Sequence, residues 1–246
     1  MLKGIILAGG KGTRLYPLTH AVSKQLLPIY KKPMIYYPLN TLKSMGIKDI
    51  LIITADHIQC RLFEDQLKDG RQYGLNLSYI VQSSPRGLPD AFIVGESFIG
   101  EDDVTLILGD NVFITPETIN ATPNTIFTYK VKQPDAYGVV KLTEDGYIDK
   151  LVEKPTQFVS NDAVVGLYIF NNNVVEVAKT LLPSSRGELE IVDLIKCIDA
   201  TTRVKVQQLD GFWFDCGTHD DLLSCANLIQ AIEQRTNTTV GLETYE

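Results

Sequence analysis

The first 110 residues alternate between short apolar runs and amphipathic stretches, and this alternation constrains the fold more than any other feature. The apolar runs predict strands at residues 3–7, 49–54, 77–81 and 104–108. The stretches between them predict helices at residues 34–45, at 88–98, and over a segment that ends near residue 67. Because such alternation is typical of a mostly parallel sheet with helices on both faces, we predict a three-layer α/β fold with a Rossmann-like mixed sheet.

The pattern changes after Asp110, where strands follow one another over short connections. They are predicted at residues 126–131, 138–142, 147–151, 164–170 and 204–209. Helices are predicted at residues 173–182, 188–200 and 218–234, the last with Thr218 as its N-cap. Since no repeat or flexible linker interrupts the chain, we expect one domain over residues 1–246, with a loosely held polar tail at 236–246.

Composition narrows the possible partners. The 246 residues carry a net charge of −7, which disfavours broad binding to nucleic acid or to a membrane surface but allows a local phosphate site. The four cysteines form no C-x-x-C pair, which is typical of a reduced cytoplasmic protein. No basic segment with a cleavage site precedes the apolar residues 5–7, and no apolar run is long enough for a bilayer, so we expect neither a signal peptide nor a membrane partner.

A glycine-rich loop follows the first predicted strand, and it includes Gly9, Gly10 and Gly12. Glycines let the backbone approach a ligand closely and expose N–H donors that suit phosphate oxygens. The loop lacks the Gly-Lys-Ser/Thr end of a P-loop and the third glycine of a dinucleotide fingerprint. A tight turn without a ligand is the alternative, but the nearby cations Arg14 and Lys24 favour a triphosphate.

The loop and its surroundings carry a specific family resemblance. Residues 9–19, with 23–28, resemble the signature of sugar-nucleotide pyrophosphorylases, and residues 32–39 are similar to the glucose-1-phosphate thymidylyltransferase branch. The resemblance extends from residue 1 to about residue 235. It implies a nucleotidyltransferase-type fold, with a nucleotide-binding half at about 1–115 and a sugar-binding half at about 116–235.

The implied reaction transfers a thymidylyl group from dTTP to glucose 1-phosphate, giving dTDP-glucose and pyrophosphate, the first step of dTDP-deoxysugar (for example rhamnose) synthesis. Because the attacking phosphate oxygen is already an anion, catalysis needs positioning and charge neutralisation rather than a general base. Arg14 and Lys24 are therefore the expected catalytic cations. The resemblance makes Asp110 and Asp215 the ligands of a catalytic Mg²⁺, although each alone is typical of a turn or a cap.

The resemblance also implies which residues contact each substrate. The nucleotide-binding residues are Leu7, Gly9, Gly10, Gly12, Thr13, Arg14, Gln25, Gln82, Gly87 and Asp110. The sugar-binding residues are Asn111, Tyr137, Gly138, Glu153, Lys154, Val164 and Arg186. Without the family pattern, Gln82 would be interpreted as a solvated loop residue and Glu153–Lys154 as a surface charge pair.

The sequence departs from the family at several positions. Arg86 stands where Asp is frequent, Asp90 where Gln is common, and Val165 where Thr is frequent, which leaves fine substrate preference open. The segment 113–125 is short, so a helix usual after Asp110 is expected to be trimmed. Longer members continue beyond the helix that follows Asp215 and build a second, regulatory nucleotide site, which we expect to be missing or built differently here.

Three alternative functions remain open from the sequence. A uridylyltransferase of the same family shares the chemistry, because one methyl group separates the two bases. A glycosyltransferase is disfavoured because Gly109-Asp110-Asn111 is not a D-x-D motif, and a sugar-nucleotide sensor because Lys24, Asp110 and Asp215 are all present. Relatives are commonly tetramers or dimers, so we expect a homo-oligomer, with the apolar residues 35–37 as a candidate interface.

Overall fold

The computed structural model describes residues 1–84 and 86–243. In this part of the chain the strands are β1 Leu2–Ala8, β2 Pro28–Ile29, β3 Lys32–Pro33, β4 Asp49–Thr54, β5 Asn76–Val81, β6 Asp103–Leu108, β7 Asn111–Ile114, β8 Thr125–Lys130, β9 Gly138–Leu142, β10 Ile148–Glu153, β11 Asp162–Phe170, β12 Lys205–Gln208 and β13 Phe212–Asp215. The helices are α1 Tyr36–Ser44, α2 His57–Leu67, α3 Asp90–Val94, α4 Glu96–Ile99, α5 Val174–Thr180, α6 Ile191–Thr201 and α7 His219–Thr236.

The chain forms two compact units. The first, here called the glycine-loop unit, comprises Gly4–Ser84, Ile107–Ile119 and Gly211–Glu246. The second, here called the central unit, comprises Met1–Lys3, Pro85–Leu106 and Asn120–Asp210. The proposed assignment of residues 1–115 to the nucleotide and 116–235 to the sugar stays a prediction.

In the glycine-loop unit, parallel strands end side by side at the loop. The strand order within this unit is β1-β4-β5, with Ile6 of β1 paired to Ile52 of β4. The turn that follows β6 lies at the same edge, because the Gly109 N–H donates to the Leu7 carbonyl at 3.0 Å. The buried branched side chains of β1 and β4, such as Ile5 and Ile53, favour extended backbone with both faces covered. The carboxyl ends of these strands therefore place the loop after β1 beside the turn after β6.

The central unit is mainly antiparallel. Its strand order is β10-β9-β11-β6, with β8 paired to β11 and β12 paired in parallel to β8. A short connection joins β9 to its antiparallel partner β10, as antiparallel pairing allows. The nine residues of β11 run through the unit with eight buried positions, and this strand places Val164 opposite Thr128.

The α/β class and the mixed sheet are confirmed, and most predicted elements lie within a few residues of their predicted bounds. The single helix predicted at 88–98 is wrong, because Gly95 ends α3 and begins α4. The trimmed segment after Asp110 holds strand β7, which pairs with β13, and neither strand was predicted.

The tail is held more firmly than the sequence suggested. Leu242 is fully buried and its N–H donates to the Tyr36 carbonyl at 3.2 Å. The Lys32 ammonium donates to the Val240 carbonyl at 3.0 Å, and burial lowers the pKa of this lysine. The apolar residues of the tail therefore anchor it to the glycine-loop unit, whereas residues 244–246 lie outside the described part of the chain.

The proposed interface residues 35–37 lie in the interior of the glycine-loop unit. Ile35 is fully buried, Tyr36 and Tyr37 are 3% exposed, and the Tyr37 hydroxyl donates to the Ile29 carbonyl at 2.7 Å. The prediction that these side chains form an apolar surface is therefore wrong. Across residues 1–84 and 86–243, no helix combines the length and apolar character needed to cross a membrane.

Candidate active site

The glycine loop after β1 is lined by a lysine. A Cβ placed on Gly10 would lie 3.6 Å from Lys24 Cε and 3.7 Å from Lys24 Nζ, so this side chain runs along the loop. Gly12 has a left-handed φ of 62°, and its carbonyl accepts a hydrogen bond from the Thr19 hydroxyl at 2.7 Å. The short 3₁₀ turn Thr13–Leu15 then begins and places Arg14. Backbone donors and two cations thus lie around one loop.

Two carboxylates meet beside this loop. Strands β7 and β13 pair antiparallel with Asp215 opposite Asn111, and the Cys216 N–H donates to the Asp110 carbonyl at 2.9 Å. The Lys24 ammonium forms an ion pair with Asp110. Asp110 is 8% exposed, so the pair is largely shielded from water. Lys24, Asp110 and Asp215, which come from separate segments of the sequence, therefore lie together within the glycine-loop unit.

The electrostatics of Asp215 indicate a site that attracts positive charge. Burial and the negative charge of Asp110 together raise the pKa of Asp215 to about 6, against the opposing effect of the positive charges of Lys24 and Arg14. A buried carboxylate, Asp110, beside a half-buried one, Asp215, is a donor set that suits a hard divalent cation. No cluster of three or more His, Cys, Asp or Glu is present among the described residues, so a cation here would need oxygen ligands from substrate or water.

Arg14 lies beside Asp215 in space that is open because residue 217 is glycine. A Cβ on Gly217 would lie 2.5 Å from Nη2 of Arg14 and 3.2 Å from Oδ1 of Asp215. The guanidinium thus occupies the space that any larger residue at position 217 would fill. The sequence analysis missed Gly217, although its place two residues after a predicted metal ligand was a usable signal.

Two glutamines predicted to bind nucleotide lie near the loop. Gln25 is 1% exposed, its Oε1 accepts from the Ser23 hydroxyl at 2.5 Å, and a Cβ on Gly109 would lie 2.9 Å from its Cγ. Gln82 is 4% exposed, and its Oε1 lies 3.5 Å from the position of a Cβ on Gly9. The prediction of Gln82 as a solvated loop residue, left open as an alternative, is therefore wrong. Ser23 was not predicted.

Asn111 is held by its neighbours rather than left open. Its Oδ1 accepts from the Trp213 indole N–H at 2.7 Å, and its Nδ2 donates to Asp110 Oδ1 at 3.2 Å. Asn111 is 2% exposed and Trp213 is 9% exposed. The side chain therefore orients Asp110 in this structure, and the predicted contact with sugar stays a prediction.

The predicted sugar-binding residues form a second group, in the central unit. Gly138 pairs with Glu153 across β9 and β10, and a Cβ on Gly138 would lie 3.2 Å from Glu153 Oε2 and 4.0 Å from Val164 Cβ. The Lys154 N–H donates to the Tyr137 carbonyl at 2.9 Å, and Lys154 has a left-handed φ of 43°. Burial raises the pKa of Glu153, which is opposed by Lys154 and Arg186. Glu153 is therefore a half-buried acceptor beside a glycine that leaves room for a ligand.

Arg186 is engaged by carboxylates of the same unit. Its Nη2 donates to Glu190 Oε2 at 2.7 Å and reaches Glu153 Oε1 at 3.4 Å, while its Nε donates to Glu190 Oε1 at 3.1 Å. The interpretation of Glu153 with Lys154 as a simple surface pair is therefore incomplete. Glu190 was not predicted; it is the residue directly before α6, and Arg186 lies in the preceding turn, so no helical spacing links the two.

Gly87, predicted to bind nucleotide, also lies in the central unit. It has a left-handed φ of 108° and forms a parallel bridge with Leu189, whose N–H donates to the Arg86 carbonyl at 2.6 Å. Arg86 forms two hydrogen bonds with the buried Asp90, at 3.1 and 2.6 Å. The two departures from the family pattern at positions 86 and 90 therefore compensate each other as an ion pair.

Comparison with known proteins agrees with this fold and identifies the family. The profile of the family described as nucleotidyl transferase matches residues 3–232. The solved structure of a putative glucose-1-phosphate thymidylyltransferase from Bacillus anthracis, in complex with a sucrose, has a TM-score of 0.86 and 35% identity, covering 93% of this chain and 95% of that one. A UDP-glucose pyrophosphorylase complexed with UDP-glucose has a TM-score of 0.83 and 25% identity, covering 94% of this chain and 99% of that one. The chain belongs to the nucleotidyl transferase family, whose members generally depend on a divalent metal.

Within that family the chain groups with the glucose-1-phosphate thymidylyltransferases. The relative from Neisseria meningitidis is 48% identical over 96% of this chain and 85% of its own length. The relative from Mycobacterium tuberculosis is 44% identical over 98% of this chain and 86% of its own length. Both carry the name glucose-1-phosphate thymidylyltransferase, and the predicted fold type and enzyme class are thereby confirmed.

Proposed function

We propose that this chain joins dTTP to glucose 1-phosphate and releases pyrophosphate, the first step towards dTDP-deoxysugars. A phosphate oxygen of glucose 1-phosphate attacks the α-phosphorus of dTTP, a new oxygen–phosphorus bond forms, and the bond to the β-phosphate breaks. No proton is transferred, since the nucleophile is an anion and pyrophosphate leaves as one. The chemical demand on the protein is to bring two polyanions together in line.

The glycine-loop unit would hold the triphosphate. Backbone N–H groups at Leu7, Gly9, Gly10, Gly12 and Thr13 would donate to phosphate oxygens. Arg14 and Lys24 would compensate the charge that develops on pyrophosphate as it leaves, where fixed cations are most effective. The single observation that carries this proposal is that Lys24 lines the glycine loop and also pairs with Asp110.

Asp110 and Asp215 would hold Mg²⁺, which when bound would neutralise phosphate charge between the substrates. The fit rests on the buried Asp110 carboxylate beside the half-buried Asp215 carboxylate and on the raised pKa of Asp215, both of which favour a cation at this place. Lys24 would exchange its partner Asp110 for a phosphate when nucleotide binds. Asn111, held by Trp213, keeps the Asp110 carboxylate oriented.

The base and the sugar would be recognised by amide, backbone and carboxylate groups. Gln82, Gln25 and Gly87 would contact the nucleotide. Glu153 would accept hydrogen bonds from sugar hydroxyls, with Gly138, Tyr137 and Val164 lining the sugar and Lys154 contacting its phosphate. Arg186 would contribute less charge than its sequence position implied, because Glu190 and Glu153 already compensate it.

The experiment that tests this function is a pyrophosphate-release assay with dTTP and UTP, each combined with several sugar 1-phosphates. We expect dTTP with glucose 1-phosphate to give the highest kcat/KM. UTP is the informative competitor, because one of the related structures is a UDP-glucose pyrophosphorylase and one methyl group is discriminated by only about 1–3 kcal/mol. A higher kcat/KM with UTP would make the chain a uridylyltransferase, and no release with any pair would refute the function.

The oligomeric state is a separate proposal. We propose that the chain forms a homo-oligomer, either a dimer or a tetramer. Residues 35–37 do not provide its interface, because they are buried within one chain. Light scattering at micromolar concentration tests it, and a mass of about 27 kDa, that of one 27.4 kDa chain, would contradict it.

A further inference from the structure

A row of charged side chains connects the start of α6 to the predicted sugar-binding carboxylate within the central unit. Glu190 is 8% exposed, and its carboxylate accepts three hydrogen bonds, from Ser184 Oγ at 2.6 Å and from Nε and Nη2 of Arg186 at 3.1 and 2.7 Å. The same Nη2 reaches Glu153 Oε1 at 3.4 Å. Arg186 therefore lies between two carboxylates, and Glu190 holds it with the greater number of bonds.

The backbone around Glu190 is anchored. The Leu189 N–H donates to the Arg86 carbonyl at 2.6 Å, and Leu189 forms a parallel bridge with Gly87. The Glu190 carbonyl accepts from the Leu194 N–H at 3.1 Å in the first turn of α6. Since both its main chain and its side chain are bonded, Glu190 is a fixed point from which the Arg186 guanidinium is oriented.

The charge balance distinguishes two roles for Arg186. A guanidinium that served as the main cation for a sugar phosphate would point its donors at the ligand, whereas here Arg186 directs its Nε and Nη2 donors to carboxylates. The half-buried Glu153 is flanked by the positive charges of Lys154 and Arg186 and by the negative charge of Glu190. The geometry suits a guanidinium that braces Glu153 rather than one that carries the phosphate.

We propose that Glu190 is a positioning residue, which acts through Arg186 to hold the Glu153 carboxylate at the angle needed to accept hydrogen bonds from sugar hydroxyls. The proposal rests on the proposed function, in which Glu153 contacts the sugar. Because Leu189 is bonded to the Arg86–Gly87 segment, the same anchor also serves a loop predicted to contact the nucleotide. Glu190 itself touches neither substrate in this account.

The test is a double-mutant cycle of Glu190→Gln and Glu153→Gln, with Glu188→Gln as the matched control. Glu188 is an exposed neighbour, and its substitution removes the same charge from the same segment. Glu190→Gln should raise the KM for glucose 1-phosphate about tenfold, the effect of losing a charge-assisted hydrogen bond, and should leave the KM for dTTP within about twofold. In the Glu153→Gln background, Glu190→Gln should raise the KM for glucose 1-phosphate by less than about twofold, because the carboxylate that Glu190 is proposed to position is already absent.

Two results would overturn the proposal. In one, Glu190→Gln raises the KM for glucose 1-phosphate and the KM for dTTP equally; in the other, the KM increase of the double variant is the product of the increases in the single variants. Failure of the proposed function is recognised separately, because the wild type then makes no dTDP-glucose. In that case the unfolding equilibrium constants in urea of the wild type, the two single variants and the double variant still test whether Glu190 acts on Glu153. A connection through Arg186 requires that Glu190→Gln changes the unfolding constant by a different factor with and without Glu153, and equal factors would refute it.

Discussion

Gly217 provides the space in which the Arg14 guanidinium lies beside Asp215. The guanidinium occupies the space beside the main chain that a side chain at residue 217 would need. The φ of Gly217 is not in the left-handed region, so the requirement for glycine is one of space and not of backbone conformation. Arg14 can therefore take this position because residue 217 has no Cβ atom.

Gly217→Ala should lower kcat about 10- to 100-fold, because a shift of about 1 Å in a positioned cation costs that much in an in-line displacement. Circular dichroism should show an unchanged fold. The measurement is pyrophosphate release at saturating dTTP and glucose 1-phosphate.

The control is Gly146→Ala, where a Cβ would meet nothing within 4 Å. Gly146 has a positive φ of 79°, so this variant should lose about 1 kcal/mol of stability and keep its kcat. Normal turnover in Gly217→Ala would show that Arg14 is not needed in its observed place.

The main site residues could be predicted from the sequence, but the residues that hold them in place could not. Lys24 follows from cations beside a glycine loop, and the role of Asp110 follows from the family resemblance, since a lone carboxylate after a strand is typical of a turn. Ser23, Gly217 and Glu190 could not be inferred in the same way, because each acts on a predicted residue through a contact that only the folded chain creates.

At the level of elements, the β7–β13 pair carries the carboxylates. The pair places Asp215 opposite Asn111, next to Asp110, and helix α7 begins directly afterwards. Thr218 caps α7 as predicted: its Oγ accepts from the Asp221 N–H at 3.2 Å and donates to Asp221 Oδ2 at 2.6 Å. The cap therefore fixes where the helix starts relative to Asp215, the proposed metal ligand.

Thr218→Ala should lower the free energy of unfolding by about 1 kcal/mol, because an N–H at the helix start loses its acceptor. Urea denaturation measures this change. Thr218→Ser keeps the hydroxyl and should lose less than half as much. Equal losses in both variants would mean that the methyl group and not the cap stabilises α7.

Elements with a clear period were predicted well, and short ones were not. Strands β1, β4 and β6 are buried apolar runs that can be recognised from the sequence. Strands β7 and β13 have four residues each and no alternation to distinguish them from a turn. The helix predicted at 88–98 failed at Gly95, where a helical period continues across a residue that weakens helices.

At the level of the whole molecule, each unit is assembled from segments far apart in sequence. The glycine-loop unit uses three stretches of chain, and one carboxylate comes from each of the last two. Local patterns cannot predict that assembly, since the pairing of β7 with β13 depends on long-range contacts. Family resemblance named both carboxylates, but it did not reveal the strands that hold them or the burial of residues 35–37.

The anchored tail leads to a prediction about the stability of the whole chain. Leu242→Ala should lower the free energy of unfolding by about 2 kcal/mol, because a fully buried leucine is lost near the end of the chain. Leu223→Ala, at a side chain that is 61% exposed on α7, should change it by less than about 0.5 kcal/mol. If urea denaturation gave the two variants the same stability, the tail would contribute nothing to the fold in solution.

The most direct test of the proposed chemistry is Mg²⁺-dependent pyrophosphate release by Asp215→Asn. The amide keeps the shape of the side chain and removes a negative charge that faces Asp110, so the fold should persist, as thermal unfolding can verify. We predict a loss of kcat/KM of at least about 100-fold, since the paired carboxylates would no longer hold the cation between two polyanions. A folded variant with turnover close to that of the wild type would contradict the account.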